Sequence, residues 1–229
     1  HNETLLLILD AGKILAFQTS NGSDGWQRDF NSGISAQSSI SSNEVVIGRK
    51  GSAVSIINAN TGADVSELNL ARLTTAENTA LATNGARIFY GDRAGGVYAL
   101  RQSDQKLLWR ARAGGQIVSL ATVKDNLLVV SLDGFVYLLD SENGDRLWKR
   151  RLPGRPFGGG LLLNENFALL LTVDGTAAQI LETSGGRLVN QIIFEEGFAA
   201  AGGAVTAGPK VLIPTERGLL AYSTDCSAQ

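Results

Sequence analysis

The sequence predicts an all-β fold: a β-propeller of four-stranded antiparallel blades, about six of them. Three observations predict it. Six copies of one hairpin pattern run through the 229 residues, LLLILDAGKILAFQ from Leu5, EVVIGRKGSAVSIIN from Glu44, RIFYGDRAGGVYALR from Arg87, NLLVVSLDGFVYLLD from Asn126, FALLLTVDGTAAQILE from Phe167 and KVLIPTERGLLAYS from Lys210. The glycines read as ending their turns, Gly12, Gly51, Gly96, Gly134, Gly175 and Gly218, lie 39, 45, 38, 41 and 43 residues apart, the period of a propeller blade. Few residues read as helix.

With the strands of a blade labelled A to D outward from the axis, each hairpin supplies strands B and C. Strand B, such as Leu5 to Leu9 or Leu127 to Val130, is apolar at consecutive positions, as a strand covered on both faces requires. The turn that follows is rich in Asp and Gly, most clearly at Asp133-Gly134 and Asp174-Gly175, because a positive φ is cheap for Gly and tolerable for Asn or Asp. Strand C leads to a second turn at Asn21-Gly22, Thr61-Gly62, Asn143-Gly144 or Gly185-Gly186, and strand D carries Trp26, Trp109 or Trp148. Strand A is expected near Ile34 to Ile40, Thr79 to Thr83, Ile117 to Val123, Gly159 to Leu163 and Ala199 to Val205, rich in small residues because inner strands crowd an axis. B, C and D at the start, four complete blades, then A, B and C at the end make 22 strands. A six-bladed disc with two three-stranded blades is the first reading. The other is a piece of a larger propeller, which exposes uncovered apolar blade faces.

The repeat runs from end to end, so residues 1–229 are expected to form one domain, with a polar tail at 226–229. Apolar residues make up 44% and charged residues 18%, and 20 basic against 22 acidic side chains leave a formal charge of -2. No global field attracts nucleic acid or an anionic membrane, and no apolar run is long enough to span a bilayer. The single cysteine, Cys226, forms no internal disulfide and reads as incidental.

The second turn resembles a known family. Ala16 to Trp26 follows the A-x-D-x-x-T-G-x-x-x-W pattern of the pyrroloquinoline-quinone-type propeller repeat, with Gln18 and Asn21 in place of Asp and Thr. Leu138, Asp140, Asn143, Gly144 and Trp148 match it in the fourth copy, and Ala99 and Trp109 in the third, where Asp104-Gln105 replaces Thr-Gly. In the second copy Thr61-Gly62 is intact but Ser66 stands in place of Trp. The resemblance implies that Trp26, Trp109 and Trp148 dock each blade on its neighbour's turn. The quinone dehydrogenases of the family use eight blades, a vicinal Cys pair and a calcium site. This chain lacks the Cys pair and the length, so the resemblance is to the non-catalytic branch, the BamB-like assembly factors of bacterial envelopes, which are also eight-bladed.

Independent of any resemblance, the only histidine is the terminal His1, so no Ser-His-Asp or Cys-His unit can be built on a rigid scaffold. No catalytic residue, cofactor or metal is expected. Asp10, Asp92, Asp133, Asp174 and Glu216 occupy equivalent turns and project from one face, but Asp is expected there for turn geometry. Gly158-Gly159-Gly160 opens no phosphate-binding helix. The run Trp148-Lys149-Arg150-Arg151-Leu152-Pro153-Gly154-Arg155-Pro156-Phe157 is the functional candidate, with Arg110 and Arg112 on the corresponding strand one blade earlier. Outer-edge cations commonly block strand pairing; the sharper reading makes Arg151, Arg155 and Phe157 partner-binding anchors. The expected function is a non-catalytic protein-binding scaffold, with a protein partner in the cell envelope, in a periplasmic or extracytoplasmic setting and in outer-membrane protein assembly. The alternative is a ligand-sensing or substrate-binding propeller ectodomain.

Overall fold

The computed structural model describes residues 4–41, 43–51, 53–172, 176–207 and 209–223; Asp174, Gly175, Cys226 and the tail at 226–229 lie outside the described residues. The chain forms two compact units, residues 1–112 and 113–229. In the first, β1 (Thr4–Ile8), β2 (Lys13–Gln18) and β3 (Asp24–Asp29) make blade one. Blade two is β4 to β7 (Ile34–Ser41, Glu44–Arg49, Ala53–Asn58, Asp64–Asn69), and blade three is β8 to β11 (Asn78–Thr83, Arg87–Asp92, Gly96–Arg101, Leu107–Arg112). The inner strands β4 and β8 meet in one parallel pairing, Gln37 with Ala80, so blades two and three share an eight-stranded sheet.

The second unit holds blade four, β12 to β15 (Ile117–Val123, Asn126–Ser131, Phe135–Asp140, Arg146–Arg151), and blade five, β16 to β19 (Pro156–Asn164, Phe167–Thr172, Ala177–Glu182, Leu188–Ile193). Blade six is β20 to β22 (Val205–Ala207, Lys210–Thr215, Gly218–Ser223). The described residues thus contain 22 strands in six antiparallel blades, the terminal ones three-stranded, and the fold is an all-β propeller. The helical content of the described residues is one 3-10 turn, Leu70–Arg72. None of their helices is long and apolar enough to cross a membrane.

Apolar runs form the B and C strands because neighbouring blades cover both faces. Val45, Ile47 and Ile57 of blade two pack with Ile14 and Trp26 of blade one, while Val46, Val54 and Ile56 pack with Leu81, Ile88 and Tyr90 of blade three. Leu128, Val130 and Val136 of blade four likewise meet Ala168, Leu170 and Leu181 of blade five. Fully burying one such side chain is worth about 1.5–3 kcal/mol, so each of these three interfaces rests on several.

Three expectations need correction. The left-handed residue of the third hairpin turn is Gly95, at φ +89°, while Gly96 already opens β10. The last inner strand, expected at Ala199 to Val205, forms only at Val205–Ala207, preceded by an isolated Ala200 to Thr215 bridge. The interruption is a two-residue slip that blade five shows at the equivalent place, between Phe157 and Leu161, so it belongs to the inner pairing. In blade six the Pro214 carbonyl accepts from Ala201, but proline has no N–H to return. Lastly, β1 is covered on one face only, with Leu5 60% and Leu7 47% exposed while Leu6 and Ile8 pack inward.

A feature that the sequence pattern does not announce recurs in all five C to D pairings: the register slips by one residue, between Leu15 and Phe17, Ile56 and Ile57, Ala99 and Leu100, Leu138 and Leu139, and Ile180 and Leu181. A bulge of this kind re-aims the side chains beside it. In blades three and four the residue next to the extra one is Trp109 and Trp148.

Candidate functional site

The outer strands carry the side chains that join one blade to the next. Trp26 donates its indole N–H to the carbonyl of Ala59 at 3.1 Å, and Trp148 donates to Thr183 at 3.0 Å. The indole rings rest on glycines of the same neighbouring turns, so closely that a Cβ on Gly62 would lie 2.5 Å from Trp26 and one on Gly186 2.8 Å from Trp148. Both glycines are left-handed, at φ +69° and +65°. Two residues beyond each Trp an arginine completes the clamp, because alternate residues of a strand share a face. Arg28 donates from Nη1 to the Gly62 carbonyl at 2.8 Å and pairs with Asp64 at 2.6 Å; Arg150 donates from Nε to the Gly186 carbonyl at 2.9 Å. The third tryptophan, Trp109, is buried with its ring 5.9 Å from Phe89, and residue 111, two positions on, is Ala.

The structure divides the basic run of blade four. Arg150 belongs to the clamp on Gly186. Lys149 is on the opposite face of β15, its ammonium 3.8 Å from the centre of the Phe135 ring and 5.2 Å from that of Tyr137, the geometry of a cation–π contact. Arg151 is exposed and pairs in register with Phe135. Leu152 is buried and donates its N–H to the Gly134 carbonyl at 2.9 Å, so the D to A loop starts beside the Asp133-Gly134 turn of its own blade. Arg155 is exposed on that loop. Phe157, by contrast, is half-buried against the cluster of Leu169, Leu171 and Phe194. Neither arginine takes part in an ion pair among the described residues.

The described acidic turn residues differ in their surroundings. Asp92 is buried and its two oxygens accept from the N–H of Ala94 and Gly96 and from the hydroxyls of Thr74 and Tyr98. Asp133 accepts from the N–H of Phe135 and Gly114 and from the Tyr137 hydroxyl. Burial pushes its carboxyl up, but the bonds from Tyr137, Gly114 and Phe135 outweigh burial and hold it below the usual carboxylate range. The same pair works the other way on Tyr137, whose pKa is raised to about 12 by burial first and by Asp133 second. Asp10 and Glu216 are exposed. No group of three metal-ligating side chains comes together among the described residues.

Blades clamped by an outer-strand indole on the next blade's turn define a β-propeller of the pyrroloquinoline-quinone-type repeat. The chain belongs to the family of the outer membrane protein assembly factor BamB, whose sequence profile matches residues 50–191. It is 30% identical over 113 residues to the BamB of Shewanella oneidensis, a match that takes in 47% of this chain and 29% of that protein. The chain therefore covers less than a third of that relative's length. Among solved structures, BamB from Moraxella catarrhalis superposes with a TM-score of 0.63 at 14% identity, over 96% of this chain and 69% of that one. The computationally designed Ika8 protein gives 0.73 at 16% identity, over 96% and 68%. A chain of the mitotic checkpoint complex gives 0.80 at 10% identity, over 96% and 71%. At such identities the likeness is one of fold.

Proposed function

We propose that this chain is a non-catalytic protein-binding scaffold acting in outer-membrane protein assembly, in the periplasmic space of a bacterial envelope. Membership of the assembly-factor family carries the reading, and the chemistry of the blades supports it. Six strong polar side chains are spent on clamps and turns: Trp26, Arg28, Trp148 and Arg150 on neighbouring backbone, Asp92 and Asp133 on their own turns. A stiff surface of this kind binds with little ordering cost.

The contact surface we assign is the connection from the end of β15 through the D to A loop into the first residues of β16. Arg151 and Arg155 present their guanidinium groups to the partner, and Phe157 adds the part of its ring that the core leaves open. Arginine and aromatic anchors of this type dominate protein interfaces. The experiment is a pull-down from envelope extract with the purified chain and with its Arg151→Ala/Arg155→Ala variant, followed by measurement of the dissociation constant for the protein recovered. The expected result is recovery of outer-membrane assembly proteins, weakened about tenfold or more in the variant at unchanged melting temperature. An equal dissociation constant removes the loop from the interface, and failure to recover any envelope protein removes the assembly role.

A further inference from the structure

The interval from Gly51 to Gly95, 44 residues, contains a connector that the clamp mechanism does not use. Between β7 and β8 the chain turns through Leu70–Arg72, capped by the Asn69 side chain on Ala71 N–H, and runs over the third hairpin turn. Thr74 ties it down by donating to Asp92 at 2.9 Å, and Glu77 pairs with Arg93 at 3.2 Å. A cleft of about 420 Å³ remains between this connector and the turn, lined among others by Arg72, Leu73, Thr74, Asp92, Tyr98 and Arg112. We propose that this cleft binds an acidic peptide segment, with Arg72 and Arg112 receiving a carboxylate.

Charge leads to that ligand. Asp92, 1% exposed, is the acidic group lining the cleft, and its oxygens already accept four hydrogen bonds. Arg72 and Arg112 are exposed, come from different elements, and take part in no ion pair among the described residues. Guanidinium forks left without an anion favour carboxylate or phosphate. The Asp92 carboxylate in the wall opposes a doubly charged phosphate more strongly than a singly charged carboxylate.

The walls suit a peptide. Tyr98 lies flat against Tyr90, ring centres 4.4 Å apart and planes at 6°, and Leu73 adds apolar surface, so a side chain next to the acid finds a partner. Tyr90 is fully buried, and its hydroxyl has no hydrogen-bond partner among the described residues. The cleft also depends on Gly96. A Cβ there would lie 2.5 Å from the Tyr98 ring and 2.7 Å from Asp92 Oδ2. Blade four supplies an internal contrast: Phe135 stands beside Arg151 where blade three sets Gly96 beside Arg112, and the Phe135 ring carries Lys149.

The test is fluorescence anisotropy at low ionic strength with the full chain and a fluorescein-labelled octapeptide bearing two glutamates around one phenylalanine. Saturable binding is expected, lost when both glutamates are replaced by glutamine and weakened about tenfold or more by Arg72→Gln/Arg112→Gln. Both arginines are exposed, and an unchanged melting temperature confirms that the variant is folded. The Arg151→Ala/Arg155→Ala variant should bind the peptide as the parent does, which separates this site from the blade-four loop. No saturable binding, equal binding of the glutamine peptide, or equal binding by the Arg72/Arg112 variant overturns the proposal.

Discussion

Arg150 donates from Nε to the carbonyl oxygen of Gly186 at 2.9 Å, reaching across to the turn on which Trp148 already rests. Arg28 makes the equivalent bond to Gly62 at 2.8 Å beneath Trp26. A charged donor held on a backbone acceptor contributes about 1–2 kcal/mol where it is partly shielded from water. Arg150→Ala and Arg28→Ala should each lower unfolding free energy by about 1 kcal/mol in urea denaturation. Arg150→Lys should recover little, since a lysine lacks the planar fork that meets Gly186 and Gly185 together. Wild-type stability in both alanine variants would reduce the clamp to its indole alone.

The glycines under the indoles are held by two constraints, a left-handed backbone and the absence of a side chain. Gly22 has the first without the second, at φ +70° with nothing within 4 Å of the place a Cβ would take. Gly22→Ala should therefore cost only the backbone term, about 1–2 kcal/mol. Gly62→Ala and Gly186→Ala should cost at least about 1 kcal/mol more, because the new methyl must displace the Trp ring. Denaturation midpoints of the three variants decide it, and equal losses would mean that the indoles yield freely.

Most of the strand plan could be read from the sequence because the hairpin turns and apolar runs are local signals: Asp133-Gly134 marks its turn, and Leu127 to Val130 reads as a strand buried on both faces. The inner strand of blade six could not be read this way. Its register slips by two residues between Ala200 and Val205, as that of blade five does between Phe157 and Leu161, and such a slip is set by pairing across sequence. The clamp was half legible. The Trp spacing follows from the repeat, but Arg150 reads as one cation in a basic run until strand alternation sends it to one face and Lys149 and Arg151 to the other. The cleft of blade three showed in the sequence only as a longer interval, since Thr74 and Asp92 meet through folding.

All four tyrosines of the chain have raised pKa values. Burial is the first cause at Tyr90, Tyr98, Tyr137 and Tyr222, with Asp133 adding to it at Tyr137, which is raised to about 12. A group whose folded pKa exceeds its unfolded value of about 10 binds its proton more tightly in the fold. Its contribution is complete below about pH 10 and is lost as pH rises toward the folded value. Tyrosinate absorbance of the folded chain should lag behind that of the urea-denatured chain, and melting temperature should fall above about pH 10. Tyr137→Phe should remove the component that titrates near 12. Coincident titration curves would contradict the burial of these rings.

Blade one offers the sharpest contrast between pattern and packing, because Leu5, Leu6 and Leu7 are chemically identical and adjacent. Leu6 packs in the cluster with Ile14 and Val45, whereas Leu5 and Leu7 face outward. Leu127, which holds the place of Leu5 in the blade-four hairpin, is fully buried. Leu127→Ala should cost about 2–5 kcal/mol, and Leu6→Ala a smaller part of that range because Leu6 is only half-buried. Leu5→Thr and Leu7→Thr should each stay within about 0.5 kcal/mol of the parent. Urea denaturation at low protein concentration measures all four. A loss at Leu5 and Leu7 that matches Leu127 would show that this face of β1 is covered in solution, and repeating the series across protein concentrations would tell a second copy of the chain from an intramolecular cover.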